Sequence, residues 1–412
     1  MLATLFWGFI ALIAYTYAGY PLLIAALARL RPQPSFPQAA LPKVTLLISA
    51  YNEEAVIAKK LENCLALDYP RDLLQILVTA DGSNDRTVEI VQSYAKRGIE
   101  LTYDPPRRGK MAAINRAMPL VRGDILVFTD ANNAYSANSI RELVAPFTNP
   151  TVAAVSGYKS IVSGDGSLGE SEGLYWKYES FIKEQEARLG CCTGVCGEML
   201  AIRRNLYERP PDWIINDDFY MAMRLVKRGY NVAYAKQAKS SERISLSAKD
   251  EMARRARIVS GRFQAMTISQ RLLPWKRPLI VWQIISHKFF RPLVPLAMIG
   301  ALTTSLLGAW RPRWVSPTWV RHFKRPFALA LLLLQLGFYS LAWVGQAIQK
   351  PRGLLGRLLY LSTFMVNSNT AALIGLYRFL TGQQTTLWKR VQRRADSFDM
   401  EDSKRSSVIS YQ

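Results

Sequence analysis

A chain of 412 residues can hold one large domain plus several apolar helices, and its formal net charge of +22 calls for an anionic partner. Nucleic acid, anionic lipid or a phosphorylated substrate would each serve. Much of the surplus flanks apolar segments, at Arg311, Arg313, Arg321, Lys324 and Arg325 and at Lys389, Arg390, Arg393 and Arg394, which favours lipid headgroups over nucleic acid.

Residues 2–28 are almost wholly apolar, with no Lys or Arg before Arg29, and long enough to cross a hydrocarbon core of roughly 30 Å. No basic stretch precedes the run, and it continues past any cleavage site, so an uncleaved anchor over residues 1–30 is expected. Arg29 and Arg31 place its C-terminal end in the cytosol.

Residues 43–245 alternate short apolar runs with helical patterns. Strands are expected at 44–49, 76–80, 99–103, 125–129 and 152–156, and helices at 53–66, 85–97, 110–119 and 137–147. This is the pattern of an α/β domain with a mostly parallel sheet. A helix over 170–190 carries Tyr175, Trp176, Tyr178 and Phe181, which either stack on sugars or pack on the sheet and bilayer. Another helix follows over 219–226. Cys191, Cys192 and Cys196 fall in a span expected in the reducing cytosol, with Cys64 apart and only His287 and His322 elsewhere. Neither a disulfide framework nor a zinc site fits that set.

Residues 250–278, rich in arginine and broken by Pro274 and Trp275, suit a helix lying in the membrane interface. Apolar stretches at about 283–309, 327–348 and 355–380 fill a membrane region spanning 279–380, and 381–412 is a basic polar tail. Three crossings there would put the tail outside, against the positive-inside rule. Four, or two plus an interfacial segment, would keep it inside, and the sequence leaves these open.

In an open parallel sheet, ligands bind beyond the carboxyl ends of the strands. The first strand runs into Tyr51-Asn52-Glu53-Glu54, the second into Asp81-Gly82-Ser83-Asn84-Asp85, and the fourth into Asp130-Ala131-Asn132. Each acid alone could be a helix cap; acids at three strand ends on one edge point to a common site. No G-x-G-x-x-G follows the first strand and no G-x-x-x-x-G-K-[ST] occurs, which excludes the usual dinucleotide and P-loop sites.

These motifs, with Gly109-Lys110 opening a helix, Asn216-Asp217-Asp218-Phe219 and Arg254-Arg255-Ala256-Arg257, occur in an order that resembles family-two glycosyltransferases. The resemblance is to the membrane-embedded synthases of cellulose, chitin, hyaluronan and poly-N-acetylglucosamine, and it covers most of the chain. It implies a GT-A-like fold with transmembrane helices at both ends. It also implies an inverting transferase at the cytosolic face of the cell membrane. A sugar would pass from a nucleoside diphosphate, UDP being the family's commonest, to a growing glycan. A single addition to a lipid-linked acceptor is the alternative, and a non-catalytic scaffold or channel on the same fold is a third reading. Glu53, Glu54 and Asp81 would bind base and ribose. Lys110, Arg255 and Arg257 would face the diphosphate, and Asp130 with Asn132 would hold Mg²⁺ or Mn²⁺. Asp218 would be the general base, with Asp217 orienting it.

Two departures bear on the acceptor. The family's Q-R-x-R-W element reads Arg254-Arg255-Ala256-Arg257-Ile258, so no aromatic face is offered where the synthases stack an acceptor sugar. The acceptor loop reads Gly194-Val195-Cys196-Gly197, with a cysteine in the acid's place.

Overall fold

The computed structural model describes residues 2–37, 39–162, 166–243, 247–310, 327–348 and 353–384. The basic groups at 311–325 and 389–394, His322 and all of the tail beyond 384 lie outside the described residues. The chain divides into two compact units: residues 27–251 with 267–281 form one, and residues 1–26, 252–266 and 282–384 the other.

The first unit is built on β1 (Val44–Ala50), which is buried along its whole length, as a strand covered on both faces must be. Parallel to it lie β2 (Leu74–Asp81) on one side and β4 (Ile125–Asp130) on the other. β3 (Ile99–Asp104) extends the parallel set beyond β2. The chain thus fills β1, β2 and β3 outward, then returns to the far side of β1. That reversal leaves a crevice at the carboxyl ends of β1 and β4, the usual ligand position in such sheets.

Beyond β4 the sheet takes in β5 (Ala134–Tyr135), β6 (Val152–Ile161), β7 (Leu200–Arg203) and β8 (Asn231–Glu242), in the order β3-β2-β1-β4-β7-β6-β8-β5. β7 is antiparallel to both neighbours, and β6 pairs parallel with β8 through two register shifts. The five expected strands are present; β5, β7 and β8 complete the sheet. The helix expected over 53–66 starts only at Ile57 and ends at Leu65. Residues 51–56 form instead a loop anchored by Asn52, held at φ +52°. The helix Gly166–Arg188 begins before the expected 170–190 segment and ends two residues short of its end, ahead of Gly190 at φ +110°.

The second unit is helical. Three of its helices are long and apolar enough to cross a membrane by length and composition: Leu2–Ala28, Pro278–Trp310 and Ala328–Gln346. The helix Gly353–Leu380 has 28 residues and more polar character. The helix Ala248–Thr267 occupies the segment expected at the interface. Leu2, Ala3 and Phe6 pack with Ala301, Ala309, Ala328 and Leu332, and the alanines let the helices approach closely. Two π-helical turns interrupt the long spans, at Tyr15–Gly19 and Ile285–Phe289. The two face each other: Tyr15 and Ser286 share a hydroxyl hydrogen bond of 2.7 Å, and the Trp282 indole donates to Tyr15 at 2.9 Å.

Candidate active site

The loops after β1 and β2 are laced together before any ligand arrives. The Asn52 amide donates to Asn84 Oδ1 at 2.6 Å, and the Asn84 N–H returns to Asn52 Oδ1 at 2.9 Å. The Asn52 N–H reaches Ser83 Oγ, and the Glu53 N–H reaches Thr87 Oγ1. Glu54 accepts from the Arg86 N–H at 3.2 Å, which leaves its exposed carboxylate at the rim. Tyr51 carries the Arg107 guanidinium 3.8 Å above its ring.

Asp81, at the end of β2 and buried, accepts from the N–H of Arg108 at 2.9 Å and of Gly109 at 2.7 Å. It therefore fixes the loop that opens the helix Lys110–Ala117. Gly82 makes this possible: it sits at φ +65°, and a Cβ there would lie 2.8 Å from the Arg107 backbone. From that helix the Lys110 ammonium donates to Asp130 Oδ1 at 2.7 Å. Burial works against the charged lysine, but Asp130 above all, then Asp217 and Asp218, hold its pKa above the ordinary value. The structure thus brings Lys110, Asp130 and the Asp217–Asp218 pair into one electrostatic cluster at the carboxyl edge of the sheet.

Asp217 and Asp218 are the first two residues of the helix Asp217–Lys227, and no side chain caps its N-terminus from Asn216. Asp218 Oδ1 accepts the Phe219 N–H at 2.7 Å. The other flank of Asp218 faces the loop 194–197, and a Cβ on Gly197 would lie 3.2 Å from Asp218 Oδ2. Gly197→Ala is therefore expected to push the loop and the carboxylate apart by a few tenths of an ångström.

Cys196, in the same loop, donates its N–H to Ser156 Oγ at 3.1 Å. All four cysteines are free and buried. Burial pushes the Cys191 thiol up to about 11 and Cys192 up to about 12, and raises Cys196 well above the ordinary thiol value. Burial of this kind favours the neutral thiol, which packs as a small apolar side chain. Trp176 packs inward over the Lys159 ammonium at 5.2 Å, while Phe181 stays 41% exposed.

Sequence reasoning missed two buried groups behind this edge. Lys60 is fully buried and donates three bonds of 2.9 Å, to Thr129 Oγ1, Asn133 O and Asn133 Oδ1. It pins the turn that carries Asp130 and Asn132. Its place three residues after Ile57 and four before Cys64, both buried, was the available signal. Lys159 binds the carboxylates of both Glu198 and Glu242, joining β6 and β8 to the residue after Gly197.

Among the described residues, no three His, Cys, Asp or Glu side chains gather as a metal site on their own. Asp130 and Asn132 offer hard oxygen donors, and Asp130 already draws the Lys110 cation. That set fits a Mg²⁺ or Mn²⁺ whose remaining ligands come from a substrate diphosphate and water. Arg254, Arg255 and Arg257 belong to the helical unit. There Arg255 donates to Ser368 Oγ and lies 5.0 Å over the Phe364 ring.

Residues 45–209 match the family described as Glycosyl transferase family 2. They form a family-two glycosyltransferase domain. The domain covers the laced loops, Asp81, Lys110, Asp130 and the loop through Gly197. The chain is 28% identical over 233 residues to a beta-monoglucosyldiacylglycerol synthase of Trichormus variabilis, covering 53% of this chain and 49% of that one. It is 25% identical over 211 residues to a poly-beta-1,6-N-acetyl-D-glucosamine synthase of Staphylococcus aureus, covering 50% and 51%. The chain spans about half the length of these curated relatives. In fold it is similar to a mannosyltransferase from Pyrobaculum calidifontis solved with GDP-Man and Mn²⁺, at TM-score 0.65 and 22% identity, over 90% of this chain and 99% of that one.

Proposed function

We propose that the protein is an inverting, membrane-borne glycosyltransferase that moves a sugar from a nucleoside diphosphate to a lipid-borne hydroxyl at the cytosolic face. The observation that carries the reading is the convergence of Lys110, Asp130, Asp217 and Asp218 at the carboxyl edge of a family-two domain. Similarity to a glycolipid synthase and the Ile258 substitution favour a single addition. Similarity to a polysaccharide synthase favours extension of a glycan, the second reading. One added sugar or a ladder of products separates the two.

In this reading Asp81, Glu53 and Glu54 bind the nucleoside. Asp130 and Asn132 would hold a divalent cation, which would supply charge neutralisation to the leaving diphosphate. Lys110 adds its charge beside that group, and Arg257 is assigned the same leaving group by its motif. Asp218 takes the proton from the acceptor hydroxyl as its oxygen attacks the anomeric carbon. Gly197 packs closely on that carboxylate and so fixes its position.

The direct test is thermal stabilisation of the purified chain by UDP or GDP with Mn²⁺. A Tm rise of several degrees is expected at saturating nucleotide, with its loss on adding EDTA. No shift with any nucleoside diphosphate would refute the donor assignment. Topology is tested separately. Reporters at Ala39 and Gly166 should both read cytosolic, because Arg29 and Arg31 follow the first apolar helix. An external signal at either would remove the site from its sugar-nucleotide supply.

A further inference from the structure

Asn133 follows the turn that carries Asp130 and Asn132, and its side chain is fully buried. All four of its polar positions are used. Oδ1 accepts from the Lys60 ammonium and from Thr129 Oγ1, both at 2.9 Å. Nδ2 donates to the Glu198 carbonyl at 3.2 Å and to Ser240 Oγ at 2.8 Å. The amide sits only one way round, because an ammonium has no lone pair to receive an N–H. Aspartate would keep the bonds on the Oδ1 side but set a second oxygen against the Glu198 carbonyl. Leucine would fill the volume and leave polar groups on both sides without their partner, each at a desolvation cost. The position therefore specifies an amide, where an ordinary core site would take an apolar side chain.

The groups it reaches belong to the other side of the site. Glu198 follows Gly197, the glycine that packs on the Asp218 carboxylate. The Glu198 carbonyl also accepts from the Tyr135 hydroxyl at 2.7 Å. Its carboxylate accepts from Ser240 Oγ at 2.9 Å and binds Lys159, which also binds Glu242. Ser240 thus accepts from Asn133 and donates to Glu198, closing a loop of bonds between the two turns. Asn133, Tyr135, Lys159, Glu198, Ser240 and Glu242 are each at most 6% exposed. Hydrogen bonds so far from water are strong and expensive to break, which makes the link stiff. All of these residues lie in the sheet-built unit.

We propose that Asn133 is a positioning residue. Through Ser240 and Glu198 it fixes the turn bearing Asp130 and Asn132 against the loop that packs on Asp218. The proposal rests on the transferase reading above and deepens it. In an inverting displacement the attacking hydroxyl and the leaving diphosphate lie in line on opposite faces of the anomeric carbon. The spacing between the base and the leaving-group end therefore enters the rate directly, and a misplacement of about 1 Å costs on the order of a hundredfold. Binding of the nucleotide is less sensitive, because the donor contacts keep their own geometry.

The test uses the purified full chain in detergent. Transfer of label is followed from UDP-glucose, UDP-N-acetylglucosamine or GDP-mannose, whichever the wild type uses. Hydrogen exchange is followed without ligand at the Cys196 and Met199 amides, which donate to Ser156 Oγ and to the Cys196 carbonyl. Asn133→Asp should lower kcat about a hundredfold, with the donor KM within about threefold. It should also speed exchange at 196–199 about tenfold, although the change lies in the other turn. Ser240→Ala and Tyr135→Phe each remove one hydroxyl and keep the packing, so the test does not depend on Asn133→Asp folding. Each should lower kcat about two- to tenfold, the effect of one lost hydrogen bond, again with little change in KM. Asp68→Asn, which breaks an exposed ion pair with Arg141, should alter neither kcat nor exchange. With an active wild type, an unaltered kcat in Ser240→Ala and Tyr135→Phe would overturn the positioning role alone. So would wild-type exchange at 196–199 in Asn133→Asp, or an effect confined to the donor KM. A wild type that transfers no label and is not stabilised by UDP or GDP with Mn²⁺ would sink the transferase reading, and the positioning role with it.

Discussion

Asp218→Asn is expected to lower sugar transfer by a factor of about a hundred to ten thousand, the usual range for loss of a general base, while nucleotide binding persists. The substitution is nearly isosteric. An asparagine oxygen can still accept the Phe219 N–H that Asp218 Oδ1 takes at 2.7 Å, so the first turn of the helix Asp217–Lys227 keeps its contact. Asparagine is also nearly as good as aspartate near a helix start, so a purely structural Asp218 forecasts an active variant. What disappears is the ability to accept a proton at the carboxylate that packs against Gly197. The proposed donor contacts at Asp81, Lys110 and Asp130 are untouched. A nucleotide titration and a transfer assay on the same preparation decide the matter. Near-normal transfer would pass the base role to Asp217.

Asp130→Ala should act on a different step. Lys110 then loses the carboxylate that its ammonium meets at 2.7 Å, while remaining largely buried. Without Asp130 the proposed cation keeps only Asn132, whose neutral oxygen is a weaker ligand. Stabilisation by nucleotide plus Mn²⁺ should vanish, and transfer should drop on the order of a thousandfold, comparable with removing one strong contact to developing charge. The readout is a Mn²⁺ titration of the thermal shift. Asn132→Asp is the converse change and should lower the Mn²⁺ concentration needed while retaining activity. Unchanged Mn²⁺-dependent stabilisation in Asp130→Ala would show that the cation, if any, is held elsewhere.

The part of the site that rests on strand ends was legible in the sequence. β1, β2 and β4 are continuous apolar runs, and a buried strand that stops at an acid announces where the backbone leaves the core. β7 was not legible because four residues carry too little periodicity. β8 was missed because its alternation breaks at Tyr234–Ala235, both buried, and Lys236–Gln237, both exposed, where its pairing with β6 shifts register. Lys60 was hidden by a sound rule, that lysines are solvated. Its burial depends on Thr129 and Asn133 arriving from 69 and 73 residues away, which no local window contains. Arg255 shows the reverse difficulty. Its motif was plain, but the partner its side chain meets, Ser368, lies 113 residues further on.

The two hydrogen bonds that Asp81 accepts from Arg108 and Gly109 have a consequence for altering donor preference. In the proposed reading the residue that recognises the nucleoside is also the peg on which the Lys110 helix hangs. Any replacement at Asp81 made to change base selectivity would shift the ammonium beside the departing phosphates, so selectivity and turnover would move together. An engineer seeking a new nucleotide without a slower enzyme should begin at Glu54, whose carboxylate is exposed, and leave Asp81 in place.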